Sequence, residues 1–189
     1  MALFNLYAMK LFISIFLSFF VLFITINAQD RYAENQVTMD HDTMFLKKEM
    51  HKINGIVYNE YGEIGIFLDG FREGIHKEWF RSGNVKDEIT YLKGQKQGLF
   101  KYWDDKGQLL KEGYYKSNKL EGLLKEWYHN GNIKLEVRYK EGEMHGLRTE
   151  WYKSGHKWSE QQMENGYVVS GKHFYNDGSE ITHGSLIKH

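Results

Sequence analysis

The stretch Gly122–Glu143 reads GLLKEWYHNGNIKLEVRYKEGE, and its pattern decides the fold. In its second half, every second residue from Ile133 to Tyr139 is apolar, and the residues between them are polar or charged. Such alternation is typical of a half-buried β-strand. The first half ends at Trp127 and gives a second candidate strand. Asn130-Gly131 lies between the two strands and is a strong hairpin turn signal, because both residues accept positive φ. The stretch therefore predicts one β-hairpin.

The same pattern recurs every 24 residues over four units. Two glycine columns and one tryptophan column define the repeat, and a glutamate column follows at the same interval. A fixed period of this length is the signature of a repeat architecture. The repeat-defining residues are Gly74, Trp79, Gly83, Gly98, Trp103, Gly107, Gly122, Trp127, Gly131, Gly146, Trp151 and Gly155.

Weaker copies of the pattern flank the four units, one beginning at Gly55 and the other at Gly171. We count about six units of about 24 residues, from Gly55 to Ile181. Two short strands per unit predict an all-β fold, an elongated antiparallel meander of tandem β-hairpins with ten to twelve strands. Like positions in successive units should lie about 9.5 Å apart, which is twice the strand spacing.

The columns also predict which side chains share a face of this sheet. We expect the tryptophan column to be core and to share one face with the aliphatic residues, and the glutamate column to lie on the other face with cross-strand charge pairs. A single layer must cover or curl its apolar face. Coiling, dimerisation or the segment before the repeats would each do so. The aliphatic column is Ile75, Leu99, Leu123 and Leu147, and the glutamate column is Glu88, Glu112, Glu136 and Glu160.

The first 28 residues have the pattern of a secretory signal peptide. Lys10 precedes the apolar run Leu11–Ile26, and Ala28 ends it before a polar stretch. The run is short for a bilayer span. We expect cleavage after Ala28 and an exported protein, periplasmic or secreted, with no transmembrane span after signal removal. An uncleaved N-terminal membrane anchor is the alternative. The chain has no cysteine, so this is not a lipoprotein signal.

The chain divides into four parts on these patterns. Residues 1–28 form the signal peptide, 29–54 an N-terminal lead-in or cap, 55–181 the repeat domain and 182–189 a C-terminal tail. Within the lead-in, Met44–Ile53 is compatible with a short amphipathic helix or with an extended strand.

Composition excludes several functional classes. The chain has 25 Lys+Arg against 25 Asp+Glu and no cysteine. It therefore lacks a disulfide framework, a cysteine-based metal site and the basic signal of a nucleic-acid binder. Glutamates about 9.5 Å apart are too distant to bind one ion together. We expect no catalytic residues, no cofactor, no metal and no nucleic acid, although spacing alone leaves open a carboxylate pair of Glu126 with Glu136.

The repeat unit resembles the MORN repeat, most closely the bacterial, antitoxin-like MORN-repeat-variant family. The matching pattern is Gly-x-x-x-x-Trp-Tyr-x-x-Gly followed by x-x-x-x-Glu-x-x-Tyr, and it covers roughly Gly55 to Gly178. The resemblance implies an elongated array of β-hairpins. It also implies protein or lipid contact, or scaffolding, rather than catalysis. The residues outside the repeats are too few for a separate catalytic domain.

These observations predict an exported, non-enzymatic, MORN-like protein that binds or organises another macromolecule, either a protein or an envelope component. One alternative is an antitoxin or immunity protein that neutralises a partner toxin, and another is a carbohydrate or cell-wall binding module. Aromatic residues beside the tryptophan column are the candidate partner surface. They are Phe80, Tyr102, Tyr128 and Tyr152.

Overall fold

The computed structural model describes residues 30–182, so the predicted signal peptide and most of the predicted tail lie outside the described residues. The N-terminal part contains β1 (Asp30–Ala33), a 3₁₀ turn (Glu34–Gln36), β2 (Val37–Asp40) and β3 (Thr43–Leu46). Over residues 30–182, no helix has the length and apolar character needed to cross a membrane.

Twelve further strands follow in chain order. They are β4 (Gly55–Tyr58), β5 (Glu63–Leu68), β6 (Phe71–Trp79), β7 (Val85–Leu92), β8 (Gln95–Trp103), β9 (Leu109–Lys116), β10 (Lys119–Leu120), β11 (Gly122–Trp127), β12 (Ile133–Lys140), β13 (Glu143–Trp151), β14 (Lys157–Glu164) and β15 (Tyr167–His173).

These strands form one long antiparallel meander, which confirms the all-β prediction. The order in the sheet follows the chain from β4 to β15, except that the two-residue β10 pairs only with β9. Strand β1 adds to the edge of the sheet in parallel with β4. The small β2–β3 hairpin forms a separate sheet.

Two kinds of turn alternate along the meander. The return turns between units are two-residue turns in which both residues have positive φ, as in Lys93-Gly94 and Glu141-Gly142. This is the type I′ geometry that hairpin twist favours. The turn that follows each tryptophan is different. Gly131 has a φ of 87° and Asn130 does not have positive φ. The Tyr128 N–H donates to the Asn132 carbonyl, so the loop contains three residues, 129–131.

A β-bulge directly before the tryptophan compensates for the extra residue of the three-residue loop. The register shifts between Glu126 and Trp127, so the rest of the hairpin pairs as a two-residue turn would pair it, with Lys125 opposite Glu136. The same bulge precedes Trp79, Trp103 and Trp151.

The register corrects the predicted assignment of faces. Leu123 pairs with Arg138 and Lys125 pairs with Glu136, and directly paired residues share a face. The aliphatic and glutamate columns therefore lie together on one face, which we call the outer face. The opposite, inner face carries the core.

The centre of the inner face is a buried cluster of Phe100, Leu124 and Val137. Aromatic rings close over it, with the Phe100 ring 4.7 Å from the Tyr115 ring and 5.7 Å from the Tyr102 ring between centroids. The four tryptophans of the repeat are only half-buried and belong to neither of the two buried clusters within residues 30–182. The tryptophans are therefore not part of the buried core as predicted, and they do not share a face with the aliphatic column, because the bulge pairs Trp127 with Ile133 on the inner face.

The N-terminal segment covers the inner face of the first hairpin. Val37 of β2 is buried against Val57 and Phe67 of β4 and β5, and Ile53 completes this cluster. Residues 44–53 form no helix: β3 ends at Leu46 and a turn follows. Burial of this apolar surface stabilises the first hairpin, which lacks a preceding repeat.

Candidate interaction surfaces

A row of directly paired residues crosses the inner face. Each strand from β6 to β9 and from β11 to β14 contributes one residue to it. We call it the inner polar row. Most of its members carry charged or hydroxyl groups, and they lie beside the buried cluster. In sheet order the row is Glu78, Asp87, Tyr102, Lys111, Glu126, Leu135, Glu150 and Ser159.

Ion pairs hold the middle of the inner polar row. The Glu126 carboxylate lies 3.0 Å from the Lys111 Nζ and 3.3 Å from the Lys134 Nζ. Burial alone would raise the pKa of Glu126, but the hydrogen bonds and charges of the two lysines outweigh it and keep that pKa below its usual range. Glu126 is therefore a half-buried anion at neutral pH.

A second ion pair lies at the β13 end of the row. The Arg148 Nη2 lies 2.6 Å from Glu150, and the buried Ser159 hydroxyl donates a hydrogen bond to the same carboxylate at 3.0 Å. Arg148 also donates to the Gln161 amide oxygen at 2.7 Å. These bonds fix the orientation of the Arg148 and Glu150 side chains.

The β6 end of the row carries two neighbouring carboxyl groups. Asp87 is buried and is paired with Glu78 on one side and Tyr102 on the other. Burial, followed by the negative charge of Glu78, raises the pKa of Asp87 to about 6. Burial likewise raises the pKa of the Tyr102 hydroxyl to about 12. The pair that sequence spacing left open does not form, because Glu126 lies on the inner face and Glu136 on the outer face.

His76 lies beside this end of the row and is a packing residue. Its ring contacts the rings of Phe67 and Tyr91, and its Nε2 donates to the Ile66 carbonyl at 2.8 Å. Its Nδ1 is buried and has no hydrogen-bond partner within the described residues. Burial lowers the pKa of His76 to about 4. Across residues 30–182, no three histidines or acids are arranged to hold a metal ion.

The outer face carries two parallel rows of a different kind. The aliphatic row keeps much of its surface in solvent: Ile75 is 56% exposed, Leu99 60%, Leu123 37% and Leu147 54%. Beside it runs a row in which positive and negative side chains alternate from strand to strand, which we call the charge ladder. In sheet order the ladder is Lys77, Glu88, Lys101, Glu112, Lys125, Glu136, Thr149, Glu160 and Lys172.

The charge ladder contains the cross-strand pairs that the sequence predicted for the glutamate column. Lys77 lies 3.0 Å from Glu88, and Lys125 lies 3.1 Å from Glu136. Each such pair at a solvated surface contributes about 0–1 kcal/mol to stability.

The aromatic residues predicted as a partner surface lie in two different places, and all four are half-buried. Tyr102 is a member of the inner polar row. Phe80, Tyr128 and Tyr152 follow their tryptophans at the three-residue loops. The Tyr128 hydroxyl donates to the Trp151 carbonyl at 2.7 Å, and the Tyr152 hydroxyl donates to the Phe174 carbonyl at 3.0 Å. The two loop tyrosines therefore connect each unit to the next.

Sequence reasoning missed further contacts that connect the units. The Gln108 amide donates to the Tyr128 carbonyl at 2.8 Å, and the Asn132 amide donates to the Lys153 carbonyl at 2.9 Å. Their signal is present in the sequence, since an amide side chain follows the loop glycine at Asn84, Gln108 and Asn132.

Comparison with known proteins identifies the repeat. The family model described as MORN repeat variant matches residues 72–93, 96–117, 120–141 and 144–165. Each matched segment contains one hairpin of the meander, from β6–β7 to β13–β14. No curated protein matches the chain. The resemblance seen in the sequence is confirmed: residues 72–165 consist of four tandem repeats of the MORN-repeat-variant type.

Proposed function

We propose that this chain is an exported, non-catalytic binding module that holds another protein against its inner face. The four matched repeats belong to a family of interaction modules rather than catalytic domains, which supports the binding role. The inner polar row carries the proposal, because five of its eight members, Glu78, Tyr102, Lys111, Glu126 and Glu150, are polar or aromatic and keep part of their surface in solvent. The two remaining polar members, Asp87 and Ser159, are buried.

The electrostatics of the inner polar row suit recognition of a protein. Interactions between charges are stronger beside a buried apolar cluster than in open solvent. Complementary charges across an interface contribute specificity and association rate more than affinity. The Glu126 and Glu150 carboxylates are held in place by their ion pairs, so a partner would meet a preorganised pattern.

The binding role is tested by neutralising charges on one face at a time. The chain is immobilised, proteins of its own cell envelope are passed over it, and a captured protein is identified and titrated. The Glu78→Gln/Lys111→Gln variant should weaken binding about tenfold, equivalent to about 1.4 kcal/mol. The matched control is Lys77→Gln/Glu88→Gln on the outer face, which should leave affinity within about twofold. Equal losses from both variants would refute inner-face binding.

Export is supported by the sequence of residues 10–28. Cell fractionation and N-terminal sequencing of the purified protein test it. A mature N-terminus at Gln29 in the periplasm or medium is expected. A cytosolic protein that retains Leu11–Ile26 would refute export, and a membrane-bound one would favour the anchor.

An antitoxin or immunity role remains the alternative within the same binding class. It requires that the captured partner be a toxin and that co-expression of this chain restore growth. A partner that leaves growth unaffected when expressed alone would exclude this alternative.

A further inference from the structure

The outer face of the meander presents an apolar row with nothing packed on it within residues 30–182. Its four aliphatic residues, Ile75, Leu99, Leu123 and Leu147, recur on every second strand from β6 to β13. Tyr114, exposed on the same face opposite Leu99, adds to the row. Thr90 and Arg138 lie between the other aliphatic residues of the row. Exposed apolar residues aligned along one face mark an interaction site more often than scattered ones do.

The charge ladder beside this row is complementary to itself. It alternates in sign from β6 to β12, and Thr149 of β13 is the one uncharged position before Glu160 of β14. Consider the ladder of a second copy, reversed in direction and centred between β9 and β11. Its Lys125 lies over Glu112 of the first copy, and its Glu136 lies over Lys101. Its Glu160 lies over Lys77. Two charged ladder residues are left without an opposite charge: Glu88, which meets Thr149, and Lys172 of β15, which lies beyond the end of the other ladder.

We infer that the outer face binds the outer face of a second copy of this chain. The two-fold axis lies parallel to the strands, between β9 and β11. This arrangement makes one surface meet itself, as in the two-fold dimers that dominate homo-oligomers. The aliphatic residues of one copy then lie over the positions between those of the other, Leu147 over Thr90 and Leu99 over Arg138, and Tyr114 of each copy faces Leu123 of the other. The inner faces remain free, so the dimer carries two binding surfaces.

The size of the contact is sufficient for a stable dimer. Eight strands spaced about 4.8 Å apart give a width of about 38 Å, and three residue rows per face give a depth of about 20 Å. The footprint is therefore about 750 Å² per copy, or about 1,500 Å² in total, which is within the range of specific interfaces. The aliphatic rows supply the apolar contact, and the ladder fixes register and direction.

Cross-linking tests the geometry, because the natural chain contains no cysteine. Leu123→Cys lies beside the proposed axis, where the two copies of the residue are displaced along the sheet by one strand spacing, about 4.8 Å. Ile75→Cys lies at the end of the row, where the displacement is seven spacings, about 34 Å. A short bifunctional maleimide should link two copies of Leu123→Cys and should not link two copies of Ile75→Cys. Efficient linking of both variants, or of Ile75→Cys alone, would overturn the proposed axis.

Sedimentation of the purified chain tests the interface itself. A dimer is expected, and Leu147→Glu should raise its dissociation constant at least tenfold. Val168→Glu in β15 is the matched control, since Val168 is equally exposed and pairs with the inner-face Met163. Circular dichroism confirms that both variants are folded. A monomer at every concentration, or a dimer weakened by Val168→Glu and not by Leu147→Glu, would overturn the proposal. Binding of the envelope partner is scored separately, so the failure of one proposal leaves the other intact.

Discussion

Two adjacent leucines in β11 should respond very differently to the same substitution. Leu124 is 2% exposed and belongs to the central cluster of the inner face, whereas Leu123 lies on the outer face and is 37% exposed. Leu124→Ala removes buried methyl groups and leaves a cavity, so it should reduce the free energy of unfolding by about 2–5 kcal/mol. Leu123→Ala removes a partly exposed side chain and should cost less than about 1 kcal/mol.

Thermal and urea unfolding measure this difference. For a chain of this size, about 2–4 °C of melting temperature is lost per kcal/mol, so Leu124→Ala should melt roughly 5–15 °C below the parent chain. Repeat arrays need not unfold in one step, so hydrogen exchange of the β11 and β12 amides is followed as well. Equal destabilisation by the two variants, or a larger loss from Leu123→Ala, would refute the assignment of faces.

Three further predictions follow from single contacts. His76 has a folded-state pKa of about 4 against 6.5 in an open chain, so its contribution lowers stability as pH falls from about 6.5 to about 4, by about 3 kcal/mol. His76→Phe should remove this pH-dependent loss of stability. Urea unfolding of the parent chain and of the variant at pH 7 and pH 4 measures it, and an equal pH dependence in the two proteins would contradict the prediction. Gly122 has a φ of 74°, and no described atom lies within 4 Å of the place where a β-carbon would stand. Gly122→Ala should therefore reduce the free energy of unfolding by about 1–2 kcal/mol through backbone strain alone. An unchanged urea midpoint would contradict this. Tyr128→Phe removes the hydrogen bond to the Trp151 carbonyl and should cost about 0.5–1.5 kcal/mol, with faster hydrogen exchange at that loop. Exchange that is unchanged there would mean that the hydroxyl contributes nothing.

The hairpins and their period could be predicted because the signals are local. The turn glycines and the alternation within β12 are read directly from the chain, and four copies reinforce one another. The return turns carry the same kind of local signal, since Lys93-Gly94 and Glu141-Gly142 have a glycine where positive φ is needed.

The faces were assigned wrongly because alternation only divides the side chains of one strand into two sets. It does not show which of the two sets on the neighbouring strand lies on the same face. Cross-strand register decides that. The aliphatic column was placed in the core for its hydrophobicity, although its pairing with Arg138 and Thr90 puts it outside. The true core column was not recognisable, because the equivalent positions hold His76, Phe100, Leu124 and Arg148 and therefore share no residue type.

The inner polar row could not be predicted for a related reason. Its members come from two positions of the repeat and change type from unit to unit, from Glu78 to Tyr102 at one position and from Asp87 to Lys111 at the other. Only the register of the β-sheet places them side by side. Among the candidate aromatic residues, Phe80, Tyr128 and Tyr152 occupy one column of the repeat. Tyr102 precedes its tryptophan and lies on the other side of the bulge.

Photo-cross-linking from the two faces tests the central claim, that this repeat array binds its partner through the inner face. A photoreactive phenylalanine derivative replaces Glu78 on the inner face in one variant and Leu147 on the outer face in another. Each variant is irradiated with the captured partner, and the products are identified by mass spectrometry. The account predicts a cross-link to the partner from position 78 and none from position 147. A cross-link to the partner from position 147 alone would contradict it.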